Sequence, residues 1–107
     1  MKLSKQQKQI LLLFIGAGRR EKAIHLRLRE IITEIERAVH GSSPRHHSNV
    51  KMASFSRSLQ NLKKKGLMEN TGLYWRPTDA GFRKALEIKR EMIRYIEIAD
   101  EFRNLVV

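Results

Sequence analysis

Ser54, Arg57, Gln60 and Asn61 fall within two helical turns of the stretch SFSRSLQNLKKKGL, residues 54–67, which contains no acidic residue. Side chains of these types can read a flat polar edge. Arginine donates twice to the N7 and O6 of guanine, and asparagine or glutamine pairs with the N6 and N7 of adenine. On a helix over about residues 50–65, at roughly 100° per residue, Val50, Ala53, Ser54, Arg57, Gln60, Asn61 and Lys64 share one face. Met52, Phe55, Leu59 and Leu62 cluster on the other and read as core by their periodicity. A solvated surface is the plain alternative for the polar face. Its lack of carboxylates, with Arg57 at the centre and Asn61 one turn later, points instead to an anionic partner with base edges to read.

Charge is distributed to match. The 107-residue chain carries 22 Lys and Arg against 11 Asp and Glu, a net +11 with neutral histidines. Residues 1–66 hold 15 basic side chains against 4 acidic ones, whereas residues 67–107 hold 7 of each. No acid occurs between Glu36 and Glu69. A basic surface confined to part of a small chain favours a polyanion, most commonly nucleic acid. Arg45, Lys51, Lys63, Lys64, Lys65 and Arg76 are the candidate phosphate contacts. An anionic membrane is the rival partner, but it calls for a basic amphipathic helix with exposed bulky apolar groups.

A single domain over residues 1–107 must position these groups, with a modest core that a dimer interface would supplement. No cysteine is present, so packing rather than disulfides holds it together. Ser4, with Gln7 three residues on, predicts a capping box for a first helix to about Ile15, ended by Gly16-Ala17-Gly18. Ile24, Leu28, Ile31, Ile32, Ile35 and Val39 predict an amphipathic second helix over about Glu21–Val39. Residues 40–49 read as a loop that ends in Ser48 or Asn49 as the next cap. Gly66 suits the left-handed position after the third helix, and the lysines suit the negative end of its dipole.

Leu67–Glu69 and Leu73–Arg76 are short strands around an Asn70-Thr71-Gly72 turn. Alternation would point Leu73 and Trp75 inward and Tyr74 and Arg76 outward. Thr78 then caps a final helix from Asp79 to about Asn104. The expected class is mostly α with a small β-hairpin. The apolar core of the N-terminal stretch, Ile10–Ile15, is too short for a secretory signal or for a span of about 20 residues. A cytoplasmic protein with no membrane partner is expected.

The segment FSRSLQNLKKKGLMENTGLYWRPTDAG, residues 55–81, resembles the second half of a winged helix-turn-helix domain of the MarR/PadR-like kind. Ser56-Arg57, Leu59, Leu62 and Gly66-Leu67 match the family's recognition-helix pattern, and Trp75, Thr78 and Gly81 match the signature that ends its wing. Ser4-Lys5-Gln6-Gln7 before Ile10-Leu11 is similar to its first helix. The order of elements matches over about residues 4–104, with the specific motifs in residues 50–82. Pro77 stands where the family usually has Leu, and the wing is short. The resemblance implies a winged helix-turn-helix that lays the 50–65 helix in the major groove of DNA.

Ala85, Ile88, Met92, Tyr95, Ala99 and Phe102 step by 3, 4, 3, 4 and 3 along the last helix, a heptad seam. Phe82, Leu86, Ile93 and Ile96 form a second stripe beside it. About 25 helical residues extend about 37 Å, more than so small a domain covers. One stripe is expected on the domain itself and one on a second copy, with the seam as the candidate dimer interface. The alternative is a helix folded back on a monomer. A twofold dimer would offer two recognition helices to half-sites about one DNA turn apart.

Catalysis is not expected, because no phosphate loop, nucleophile elbow or isolated carboxylate pair is present. His25, His40, His46 and His47 are the only metal candidates and none are spaced i,i+4, so no metal and no cofactor is expected. The loop histidines fit phosphate contact better. Whether a small effector binds is open. The leading reading is a homodimeric transcriptional regulator that binds double-stranded DNA sequence-specifically. A DNA-organising or plasmid/viral partition protein on repeated sites, a ribosome-associated RNA-binding winged helix, and a module docking an acidic protein are the alternatives.

Overall fold

The computed structural model of the chain describes residues 2–15 and 25–106, with side chains described as far as Ala99. Among these residues the protein is mostly helical, with four helices and one small antiparallel sheet. Helix α1 spans Lys5–Leu13 and starts on the expected capping box: Ser4 Oγ accepts from Gln7 N at 3.1 Å, and Gln7 Oε1 accepts from Ser4 N at 2.9 Å. Ile10 and Leu11 are fully buried.

Strand β1, Leu26–Arg27, is not among the expected elements. It pairs with a strand nearly fifty residues away, and two residues carry no alternation of their own. Helix α2 therefore begins at Leu28 rather than near Glu21, and runs to His40. Ile24 and the rest of the expected first turn lie outside the described residues. Ile31, Ile32 and Ile35 enter the core, whereas Val39, expected on the same face, is exposed. Gly41 ends α2 at φ +78°, its N–H donating to Arg37 O at 2.9 Å.

Helix α3, Asn49–Lys64, is capped by Ser48, whose Oγ accepts from Lys51 N at 3.2 Å. Its end is a Schellman motif: Gly66 N donates to Lys63 O at 3.0 Å and Leu67 N to Leu62 O at 2.9 Å, with Gly66 at φ +74°. Leu62 and Leu67 are both buried, which adds the apolar contact that commonly accompanies this motif.

Strands β2, Met68–Thr71, and β3, Tyr74–Pro77, form the hairpin, and the sheet order is β1-β3-β2. The turn is Gly72-Leu73, with Gly72 at φ +60°, so Asn70 and Thr71 belong to the strand and not to the turn. This moves Leu73 from its expected inward position to the tip, where it is 72% exposed. Trp75 is buried, and Tyr74 and Arg76 point outward as alternation requires. Pro77 pairs with Met68 at the end of β3, beyond the residues that β1 reaches, so its missing N–H removes no inner ladder bond.

Helix α4 spans Asp79–Val106. Thr78 ties three elements together at its start. Its Oγ1 donates to Gly66 O at 2.6 Å and accepts from Gly81 N at 3.1 Å, while its N–H donates to Leu67 O at 3.1 Å. One core gathers side chains from α1, α2, α3, the sheet and the first turns of α4.

Candidate nucleic-acid interface

The outward face of α3 has the composition expected. Val50, Ala53, Ser54, Arg57, Gln60 and Lys64 are exposed and Asn61 is half-buried, while Phe55, Leu59 and Leu62 fasten the helix to the core. Among the described residues, the α3 side chains that make hydrogen bonds or ion pairs are Lys51, Ser54, Ser58 and Lys63. Arg57, Gln60, Asn61 and Lys64 have no side-chain partner among the described residues. Ser54 is less free: its Oγ lies 3.4 Å from Gln6 Oε1 of α1, the same oxygen to which buried Ser58 donates.

The candidate phosphate contacts divide into neutralised and charged groups. Lys51 is ion-paired with Glu36 on α2, which is only 8% exposed. The Lys51 ammonium holds the Glu36 carboxyl below its ordinary range against the opposing effect of burial, with the Ser43 hydroxyl and His47 adding to the shift. Ser43 Oγ donates to Glu36 Oε2 at 3.1 Å, so the group clasps the 41–48 connection onto both helices. Arg76 is ion-paired with Glu69 across the hairpin. Lys51 and Arg76 are thus charge-compensated within the fold.

Lys63 and Lys65 are held by neutral partners, Lys63 Nζ donating to Asn70 Oδ1 at 2.8 Å and Lys65 Nζ to Lys2 O at 3.3 Å. Both keep a full positive charge beside the end of α3. Arg45 and Lys64 are exposed and make no side-chain bond among the described residues. Four of the six candidates, Arg45, Lys63, Lys64 and Lys65, have no ion-pair partner among the described residues.

Three groups near this surface have no signature in the sequence. Gln6 and Ser58 link α1 to α3. His47 is bonded to Thr33 of α2 at 3.0 Å, so it anchors the loop, and His46 is the exposed one of the pair. Arg27 on β1 stacks on Tyr74 of β3, its guanidinium carbon 5.1 Å from the ring centre. No short-range spacing marks them, because each partner comes from a different element.

The expected dimer seam is split along its length. Ala85 and Ile88 are 1% and 4% exposed and belong to the chain's own core, packed with α1. Met92 and Tyr95 are 51% and 75% exposed, and Ala99 is half-buried. The side chain of Phe102 lies outside the described residues. The second stripe does not segregate either, since Leu86, Ile93 and Ile96 are exposed with the distal seam. The boundary is the reach of the small domain: every described side chain from Lys89 to Ile98 is exposed. A groove of about 410 Å³ opens between α1 and α4 beside this region, lined by Leu12, Ile88, Met92, Tyr95 and Ile96 under Lys5 and Lys8.

Among the described residues no three His, Asp or Glu side chains converge as a metal site, and no helix is long and apolar enough to cross a membrane. Comparison with protein-family models, with curated proteins and with solved structures finds no match for this chain.

Proposed function

We propose that this protein is a winged helix-turn-helix regulator of transcription that binds double-stranded DNA as a homodimer, with α3 in the major groove. The observation that carries the proposal is the exposed, carboxylate-free face of α3, on which Arg57, Gln60 and Asn61 have no partner among the described residues while neighbouring polar side chains do. In this reading Arg57 and Asn61 read base edges with Gln60 and Ser54, and Arg45, Lys63, Lys64 and Lys65 bind phosphate. The order α2, α3, hairpin supports it, since the hairpin is tied to the end of α3 by Lys63 and Asn70. Residues 41–48, which join α2 to α3, form a longer connection than the roughly 3–4-residue turn of a simple helix-turn-helix.

A second copy would cover the distal half of α4. Met92, Ile93, Tyr95, Ile96 and Ile98 are each between 47% and 75% exposed, more large apolar side chains than one short helical segment commonly leaves to solvent. Because Ala85 and Ile88 belong to the core, the pairing would use α4 from Met92 onward. The α1–α4 groove, with Lys5 and Lys8 on its rim, would receive it.

Selection of bound fragments from random and genomic duplexes at physiological salt tests the reading. A symmetric motif of two half-sites about one turn apart is the expected result. No enrichment would sink it, and cooperative spreading over repeats would favour a DNA-organising role.

A further inference from the structure

The outer face of the sheet carries a second set of donors. Paired residues on antiparallel strands share a face. Arg27 pairs with Tyr74 and Tyr74 with Thr71, so these three side chains form one row across β1, β3 and β2 next to the hairpin tip. All three are exposed, opposite the face on which Trp75 is buried. Arg27 Nη2 donates to the Tyr74 hydroxyl at 3.0 Å, and the guanidinium lies over the ring.

Tyr74 accepts in that bond, so its own O–H proton is left to donate. Further N–H groups of the guanidinium have no partner among the described residues, and the hydroxyl of Thr71 completes the row. The bond to Tyr74 also favours the charged form of Arg27. Arg27 forms no ion pair among the described residues: Glu69 is paired with Arg76, and Glu30 accepts from the backbone N of Arg27 at 3.1 Å and adds a weaker attraction to its guanidinium. Of the two arginines on this face, Arg76 is ion-paired and Arg27 has no ion-pair partner among the described residues.

We infer that Arg27, braced on Tyr74, is the phosphate contact of the wing, gripping a phosphodiester of the DNA backbone with the Tyr74 and Thr71 hydroxyls. This rests on the DNA-binding reading. It moves the wing's contact from Arg76, the position that strand alternation favours, to the edge strand β1. The cation supplies the salt-dependent attraction, and the tyrosine removes the rotamer freedom that an isolated arginine would lose on binding.

Fluorescence anisotropy of the full chain on a selected duplex, from low to high salt, tests this. Arg27→Gln should flatten the slope of log affinity against log salt by about 0.9, equivalent to about fivefold weaker binding at 0.15 M if the contact is worth nothing at 1 M. Arg27→Lys should restore the slope, and Arg76→Gln should leave it unchanged. Tyr74→Phe should keep the slope but weaken binding about three- to tenfold, as one lost hydrogen bond does. Thermal melts of all four check the fold, and the Tyr74→Phe result stands even if Arg27→Gln folds poorly. A wild-type chain that binds no duplex would defeat the DNA-binding reading and this inference with it. A binding wild type with an unchanged slope in Arg27→Gln, an unaffected Tyr74→Phe, or a larger slope change in Arg76→Gln would overturn the inference alone.

Discussion

Among the described glycines, Gly81 alone has no room for a side chain, and it gives the sharpest test of the fold. A Cβ added there would lie 2.0 Å from the Leu67 carbonyl oxygen, with Leu67 C at 3.0 Å and Pro77 Cβ at 3.2 Å. Ordinary C···O contacts begin at about 3.3 Å, so α4 must retreat by more than about 1 Å or the carbonyl must turn away. Neither is easy. The same oxygen accepts from Thr78 N at 3.1 Å, and Leu67 is buried and closes the end of α3. Gly81→Ala therefore meets rigid backbone and not the end of a flexible side chain. Overpacking typically costs about 1–3 kcal/mol, and the upper half applies here. Loss of the Thr78 bond adds about 1 kcal/mol. Replacing Gly by Ala in a helix returns about 1 kcal/mol. The net expectation is a loss of about 2–3 kcal/mol, which lowers Tm by about 10–20 °C in a domain of this size. Thermal and urea melts followed by far-UV circular dichroism measure it. A variant as stable as the parent, or more so, would mean that helix propensity dominates and that the junction of α3, hairpin and α4 is looser than described.

Further tests address the surfaces. Arg57→Ala should cost about 1–3 kcal/mol of binding and relax base preference, whereas Lys64→Ala should weaken all sequences alike and flatten the salt slope by about one; intact operator discrimination in Arg57→Ala would refute the groove assignment. Glu36→Gln should destabilise the fold at neutral pH. Because the folded pKa of Glu36 is depressed, its contribution is complete above the unfolded value of 4.5 and is lost as pH falls through the lower folded value, so parent and variant should converge in acid. Urea melts between pH 3 and 7 read this, and a gap that does not narrow in acid would contradict it. Ile96→Glu alters a side chain 57% exposed on the single chain, so sedimentation should report a monomer with little change in helicity. A parent that already sediments as a monomer would remove the homodimer from the proposal.

Much of the local architecture is legible in the residues themselves. The Ser4–Gln7 box, the Ser48 cap, the Schellman end at Gly66 and the Thr78 cap all form as their residue types and offsets indicate. The division of α3 into a core face and an exposed face also follows the helical period. The hairpin is legible too, but its turn is not, because Asn70-Thr71-Gly72 is a plausible turn by composition alone. The register depends on partners outside the turn: Asn70 lies opposite Trp75 and is held by Lys63. Strand β1 has no local signal, since its partner Tyr74 lies 47 positions beyond Arg27.

For the site, residue type and spacing determined which side chains face outward, because a helix repeats within one turn and its caps act over three or four residues. Packing alone decided which outward cations carry usable charge. Glu36 reaches Lys51 only when α2 and α3 come together, and Glu69 meets Arg76 only across the closed hairpin. The same holds for α4. Its heptad spacing marks Ala85 and Met92 as equivalent, but α1 covers the first and the domain ends before the second. Periodicity names the faces of an element, whereas burial and charge compensation depend on which other element arrives there, and residues distant in the chain supply it.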